Sequence, residues 1–345
     1  MMAPYRFAAM LIAVGVASAA TAQAPPKPLF ASNDMLRLTI RGPITQIARS
    51  DVQARRPRDA SLIVPGAVPE TLPVQLSPRG ITRLKPEVCQ FPPLRVRFQG
   101  TPGPGSIFSG QKQLKLVTHC RTTASFQQHV LLEYTAYRLY NQLTPASFRV
   151  RLATIDYVDE ANRPITTRHG FFIEDIDDVA ARNAMRKAIT PDRVPRAQLS
   201  PADAARLALF EYMIGNLDWS MRAGPAGEGC CHNSRLIGRA AGGTLTPVPY
   251  DFDYSGLVDA PYSVAPDGTS GVRKRDYQGY CAHNAEALAA AAVVRGQRAP
   301  LMSVLNEVPL GETVRQRASS YLGGFFADIA DDGKTAAKVL KSCIK

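Results

Sequence analysis

Between Leu36 and Cys120 the chain carries five short runs, LRLTIRG, SLIVPG, LPVQLSPRG, LRVRFQG and KQLKLVTHC, in which apolar and polar residues alternate. Period-two alternation over so few residues, bounded by Gly and Pro, marks half-buried β-strands and excludes amphipathic helices. The pattern then changes. In SFQQHVLLEYTAYRLYNQL, residues Val130, Leu131, Tyr134, Tyr137 and Leu139 fall near helical spacing, and Pro145 lies just past the end. SFRVRLATIDYVDE and TTRHGFFIEDID read as a strand pair joined by a turn at Asn162–Pro164. Beyond Glu174 come helical stretches: DDVAARNAMRKA, SPADAARLALFEYMIGNL, AEALAAAAVVRG and ETVRQRASSYLGGFFADIADD. Ser200 is placed as an N-cap with Pro201 at the first helical position. Strands followed by helices predict an α+β protein. Residues 36–174 form a sheet-rich N-lobe with one embedded helix, residues 175–345 form a helical C-lobe, and a cleft lies between them.

The N-terminus adds a compartment. Arg6 precedes an apolar run that ends near Ala20, and Ala22-Gln23-Ala24 supplies a small-x-small cleavage pattern. Residues 1–24 therefore read as a secretory signal peptide, and 25–35, rich in Pro, as a linker. No later stretch is apolar enough for a membrane span. The expected product is exported, either periplasmic or secreted. Its six cysteines, Cys89, Cys120, Cys230, Cys231, Cys281 and Cys343, then predict disulfides. Cys89 with Cys120 is the expected first bridge, because both flank strands of one half. Cys230 and Cys231, being adjacent, are expected to pair separately with Cys281 and Cys343. The formal net charge is +12, which favours acidic partners such as a phosphate ligand. The basic residues are scattered and not interleaved with aromatics, so nucleic acid is not an expected partner.

Acids beside apolar runs carry the functional signal. Asp218 sits in GNLDW, Asn233 in the following HN pair, and Asp251 and Asp253 in TPVPYDFDYSG. An acid beside apolar residues costs desolvation energy unless it is paired or holds a cation. Phosphoryl transfer needs positioned charges more than covalent chemistry: a cation on the phosphates, a Glu to orient it, an acid for the acceptor hydroxyl, and metal ligands. Lys115 in LKLVTHC, Glu133 in the following helix, Asp218, Asn233, Asp251 and Asp253 supply these types in chain order. A Gly-rich stretch, GTPGPGSIFSG, precedes the Lys115 strand and could approach phosphates closely.

This ordered set resembles the atypical secreted kinases of the spore-coat CotH type. VQLSPRGITRLKPEVCQFPPLRVRF is similar to that family's Arg-Gly strand-turn and basic strand, and VLLEYTAYRLYNQL to its following helix. RHGFFIEDID resembles its strand toward the hinge. GNLDW with HN, and TPVPYDFDYSG, look like its catalytic Asp, metal Asn and metal-binding segment. The resemblance implies a two-lobed protein-kinase-like fold and a phosphotransferase using Mg or Mn with ATP or another nucleoside triphosphate. The acceptor would be a protein or another hydroxyl-bearing molecule. Asp218 would be the catalytic acid/base, and Asn233 and Asp251 the metal ligands, with Asp253 a rival. The cation on the phosphates stays open among Lys115, Arg95 and Arg97, with Glu133 expected to pair with whichever serves. WSMRAGPAGEGCCH separates Asp218 from Asn233 and must fold back if the two share a metal. A non-catalytic envelope binding protein is the alternative function.

Overall fold

The computed structural model describes residues 24–49, 55–239, 243–264 and 272–345. The signal peptide, apart from Ala24, lies outside them. Seven strands make one sheet: β1 (Leu36–Arg41), β2 (Arg58–Val64), β3 (Glu70–Pro78), β4 (Leu94–Phe98), β5 (Gln113–Val117), β6 (Val150–Val158) and β7 (Pro164–Ile173). A short helix, α1 (Ile44–Arg49), follows β1, and a long one, α2 (Ala124–Leu143), links β5 to β6. Neighbouring strands are antiparallel in the order β1-β2-β3-β4-β5-β7-β6, and β6 returns to pair with β1 in parallel, Leu36 opposite Ala153 and Arg41 opposite Val158.

That last pairing closes the sheet into a barrel and overturns the expected two-lobed kinase-like fold with its sheet-rich N-lobe. The local alternation was enough to place the strands. It could not show closure, because closure depends on a pairing between two segments far apart in the chain, and strand alternation is the same in an open sheet and a closed one. Leu38, Ile40, Leu62, Val74, Leu76, Leu94, Val96, Leu116, Ile155 and Phe172 fill the barrel. Each fully buried aliphatic side chain contributes about 1.5–3 kcal/mol. Leu29 and Phe30, in the segment read as a linker, are buried in the same core.

Strands β6 and β7 face two ways. Ala153, Ile155 and Phe172 point into the barrel, while Val150, Leu152, Phe171 and Ile173 pack against α2 and the second, larger core. Gly170 is obligatory here, since a Cβ would lie 2.7 Å from the Val117 carbonyl oxygen of the next strand. The second half holds α3 (Ile176–Arg182), α4 (Pro201–Ile214), α5 (Asn284–Gly296), α6 (Arg298–Glu307) and α7 (Glu312–Asp328). A small sheet of β8 (Arg186–Lys187), β9 (Ser234–Gly238) and β10 (Thr246–Pro249) lies between α3 and α4 in contact with both. Ser200 caps α4 by accepting from the Asp203 amide, with Pro201 at the first position. The stretch DDVAARNAMRKA is helical only to Arg182; Asn183 ends α3, Ala184 takes a left-handed conformation, and Arg186–Lys187 pair with β9. No described helix is long and apolar enough to cross a membrane.

All six cysteines are in disulfides. Cys89 and Cys120 are joined with their Cα atoms 4.6 Å apart. Cys281 pairs with Cys343, and Cys230 pairs with Cys231. The expectation that the adjacent cysteines reach separate distant partners is thus corrected. Cys281 lies at the entry to α5 and is tied to the C-terminal turn, where its amide also donates to the Ile344 carbonyl at 2.8 Å, so neither Cys281 nor Cys343 is left for the 230–231 loop.

Candidate functional site

The site is assembled where one end of the barrel meets α2, the end of α4 and the residues after β10. Three features of the local sequence deliver Asp218. Helix α4 ends at Gly215, whose positive φ of 66° lets the chain reverse where a Cβ would collide with the Tyr321 hydroxyl. Asn216 is fully buried, and its Oδ1 accepts the Asp218 amide at 3.1 Å. The Trp219 indole then donates to the Asn216 carbonyl at 3.1 Å.

The segment after Asp218 folds back on itself. Ser220 and His232 form an antiparallel bridge, with the Ser220 amide donating to the His232 carbonyl at 2.9 Å. This brings Asn233 to Asp218: its Nδ2 donates to the Asp218 carbonyl at 2.7 Å and to Oδ2 at 3.0 Å. His232 Nε2 lies 2.7 Å from Asp218 Oδ1, and this hydrogen bond raises the pKa of the imidazole. Asn233 in turn accepts the Tyr250 amide at 3.0 Å through its carbonyl, so it sits beside Asp251. Both Asn233 and Asp251 have positive φ, 47° and 68°. Non-glycine residues held there cost about 1–3 kcal/mol, although Asn and Asp bear it best, and such strain gathers at functional sites.

Helix α2 supports Asp251 from the other side. The Asp251 amide donates to the Tyr137 hydroxyl at 2.9 Å. Glu133 is one helical turn before Tyr137, so the two share a face. The apolar stripe of Val130, Leu131, Tyr134, Tyr137 and Leu139 is buried in the core, with the Tyr137 hydroxyl reaching the site.

Glu133 does not pair with Lys115, Arg95 or Arg97. Its partner is Arg83, from the turn Thr82–Leu84 after β3. Arg83 is 7 % exposed and reaches three carboxylates: Glu133 at 3.1 Å, Asp251 at 3.0 Å and Asp253 at 3.2 Å. The reason lies in the connection after β3. It leaves Arg83 buried on the turn Thr82–Leu84, whereas β4 leaves Arg95 and Arg97 exposed between buried Leu94, Val96 and Phe98. Burial raises the pKa of Glu133 and of Asp253, against the pull of Arg83. Three acids around one guanidinium leave negative charge uncompensated. The surplus is reachable at Asp251, whose side chain is 35 % exposed, while those of Asp253 and Glu133 are nearly closed off.

The donor set fits a hard divalent cation. Glu133, Asp251 and Asp253 each offer an oxygen within 4.8 Å of the others, and Glu133 Oε1 is buried with no hydrogen-bond partner. Magnesium is commonly held by one or two carboxylates with substrate phosphates completing the shell. Arg83 contacts all three acids, and among them Asp251, next to Asn233, is the most exposed.

Lys115 stands apart from the acids. Its Nζ lies 5.1 Å from the Tyr250 ring centroid and 5.9 Å from that of Phe148. Burial, with Arg79 and Arg235 nearby, lowers its pKa to about 8. Arg95 is opposite Lys115 in the β4–β5 ladder but exposed, and Arg97 is exposed further along, opposite Gln113. The Gly-rich connection before β5 is tied to the barrel: Phe108 is buried in its core and Ser106 donates to Glu70 at 2.9 Å. Sequence reasoning missed Arg83, Arg79, Arg235, Tyr137 and His232. Only the Arg79-Gly80 turn carried a local signal, because the others acquire roles through contacts made across the fold. His119 is structural, stacked on Phe91 at 4.9 Å.

No protein-family model matches this chain, and no curated protein matches it. Its function is read from the residues themselves.

Proposed function

We propose that the protein is an exported phosphotransferase that takes a nucleoside triphosphate with Mg or Mn and phosphorylates a hydroxyl acceptor. One observation carries the reading: Asn233 donates to the Asp218 carboxylate and accepts from the amide of Tyr250, the residue before Asp251, so three residues separated in sequence are brought side by side. The motif resemblance to the CotH-type kinases supports it from the sequence side. The reading rests on the site and borrows nothing from a kinase fold. Disulfides and the predicted signal peptide support export.

In the proposed reaction the acceptor oxygen attacks the terminal phosphorus. The new O–P bond forms as the P–O bond to the diphosphate breaks, and the hydroxyl proton passes to Asp218. Asn233 and His232 hold the Asp218 carboxylate in one orientation, which is the positioning that such transfer depends on. A bound cation would neutralise charge on the phosphates, held by Asp251 with Asn233 or Asp253.

The second reading, a non-catalytic binding protein, is favoured by Arg83, which already occupies the acidic triad. Incubation with Mg and γ-labelled ATP separates the two. Labelled product or phosphate release by the wild type, abolished in Asp218→Ala, is expected. Saturable Mg-ATP binding without any turnover would establish the second reading instead.

A further inference from the structure

Three deeply buried arginines of the described residues are paired with carboxylates. Arg83 has three carboxylates, Arg182 has Glu174 at 2.9 Å, and Arg138 has Glu307 at 2.6 Å. Arg151 donates to the Ser32 carbonyl at 2.5 Å. Even the groove of about 480 Å³ beside the C-terminal end of α2 is lined by arginines already engaged: Arg138, Arg182, and Arg149, which donates to the Phe30 carbonyl. One cluster breaks this pattern. Arg79, Lys115 and Arg235 are half-buried, and among the described residues none of the three side chains has an ion pair or a hydrogen bond.

These three converge. Pro78, Leu94 and Leu116 lie side by side across β3, β4 and β5, so Arg79 and Lys115, each next to one of them, share a barrel end. From the opposite side Arg235 on β9 lies 5.2 Å from the Tyr250 ring centroid, the same ring that Lys115 approaches at 5.1 Å. The groups whose charge acts on Lys115 are Arg79, Arg235, Asp175 and Asp251. Asp251 already pairs with Arg83 through Oδ1, and Asp175 caps α3 through the Asp177 amide, so neither forms an ion pair with Lys115. Lys115 and Arg235 share one aromatic ring, and Arg79 adds its charge beside Lys115; none of the three has an ion pair among the described residues, which is costly in a half-buried place, and an anion with several oxygens relieves it. Guanidinium forks match phosphate oxygens bidentately, and a lysine adds a point charge.

We propose that Arg79, Lys115 and Arg235 form the binding site for a phosphate chain, a diphosphate or longer, laid over Tyr250. The inference deepens the phosphotransferase reading and rests on it for its biological meaning. It replaces Arg95 and Arg97 with Arg79 and Arg235 as the phosphate-binding cations. Arg83 becomes the structural partner of the acids.

The test uses the folded protein in chelator at low salt, titrated calorimetrically with sodium pyrophosphate, orthophosphate and ADP. Expected is one saturable pyrophosphate site, tighter than for orthophosphate, weakened at least tenfold in Arg79→Met and in Arg235→Met and unchanged in the barrel-surface control Arg37→Met. ADP binding tighter than pyrophosphate, and equally sensitive to the two substitutions, identifies a nucleoside diphosphate as the chain's source; ADP no tighter identifies an inorganic chain. Should the methionine variants fail to fold, NMR of the wild-type lysines decides: pyrophosphate must raise the pKa of Lys115 from its depressed value of about 8. No saturable binding, binding unmoved by the substitutions, or a Lys115 that does not respond overturns the proposal. Turnover lost in Asp218→Ala would still stand in that event, so the two readings fail separately.

Discussion

Arg83, carried on the turn after β3, donates to Asp251 Oδ1 at 3.0 Å, and so locks the barrel to the residues that follow β10. The same guanidinium holds Glu133 of α2 and Asp253. One side chain thereby fixes three separate segments around the site.

Removing that guanidinium leaves three acids facing each other in a nearly closed space. Breaking a buried ion pair by deleting one partner costs about 3–5 kcal/mol. Arg83→Met is expected to lower unfolding stability by that amount, and adding Glu133→Gln to recover part of it. Urea unfolding of the single and double variants is the measurement. A loss below about 1 kcal/mol would show that the cluster is not the clamp described here.

His119 gives the fold an acid-sensitive element. Burial holds its pKa down to about 4, from 6.5. Between these values the unfolded chain binds the proton and the folded chain does not, so stability falls as pH drops through 6.5 and the loss levels off near 4. The full effect is about 3 kcal/mol. In His119→Phe, which keeps the stack on Phe91, the fall in melting temperature over this window is expected to shrink. An unchanged pH profile would remove His119 from the account.

Gly170 tolerates no side chain. An alanine Cβ would be 2.7 Å from the Val117 carbonyl oxygen, and strand β7 would have to shift. Gly170→Ala should destabilise by about 1–3 kcal/mol. Because Ile173 and Glu174 continue from this strand toward Lys115, it should also weaken pyrophosphate binding. A melting temperature equal to wild type counts against the packing described.

The disulfide pattern can be read directly. Non-reducing peptide mapping is expected to recover Cys89 with Cys120, Cys281 with Cys343, and a single peptide holding the Cys230–Cys231 bridge. Replacing Cys89 and Cys120 by Ser should cost about 3–4 kcal/mol, from the loop that the bridge closes. A cross-link between Cys230 or Cys231 and Cys343 would contradict the pairing.

Local chemistry by itself determined the elements. Alternation in LRLTIR and LRVRF made strands, Ser200-Pro201 started α4, and the cysteines flanking neighbouring strands met as Cys89 and Cys120. Acids among apolar neighbours, Asp218, Asp251 and Asp253, are conspicuous in the sequence wherever they lie, and the family resemblance added Asn233 to them. Tertiary structure alone decided the rest. Closure of the barrel depends on β1 meeting β6, a pairing that neither strand encodes alone. Glu133 has several basic residues within reach in sequence terms, and only the burial of Arg83 on the turn after β3 makes it the partner. Likewise Lys115 and Arg235 are ordinary basic residues until the barrel end and β9 bring them to Tyr250, with Arg79 beside Lys115. A charge carries the same sequence symbol whether solvated or buried. Its role follows from the dielectric and the neighbours that folding supplies.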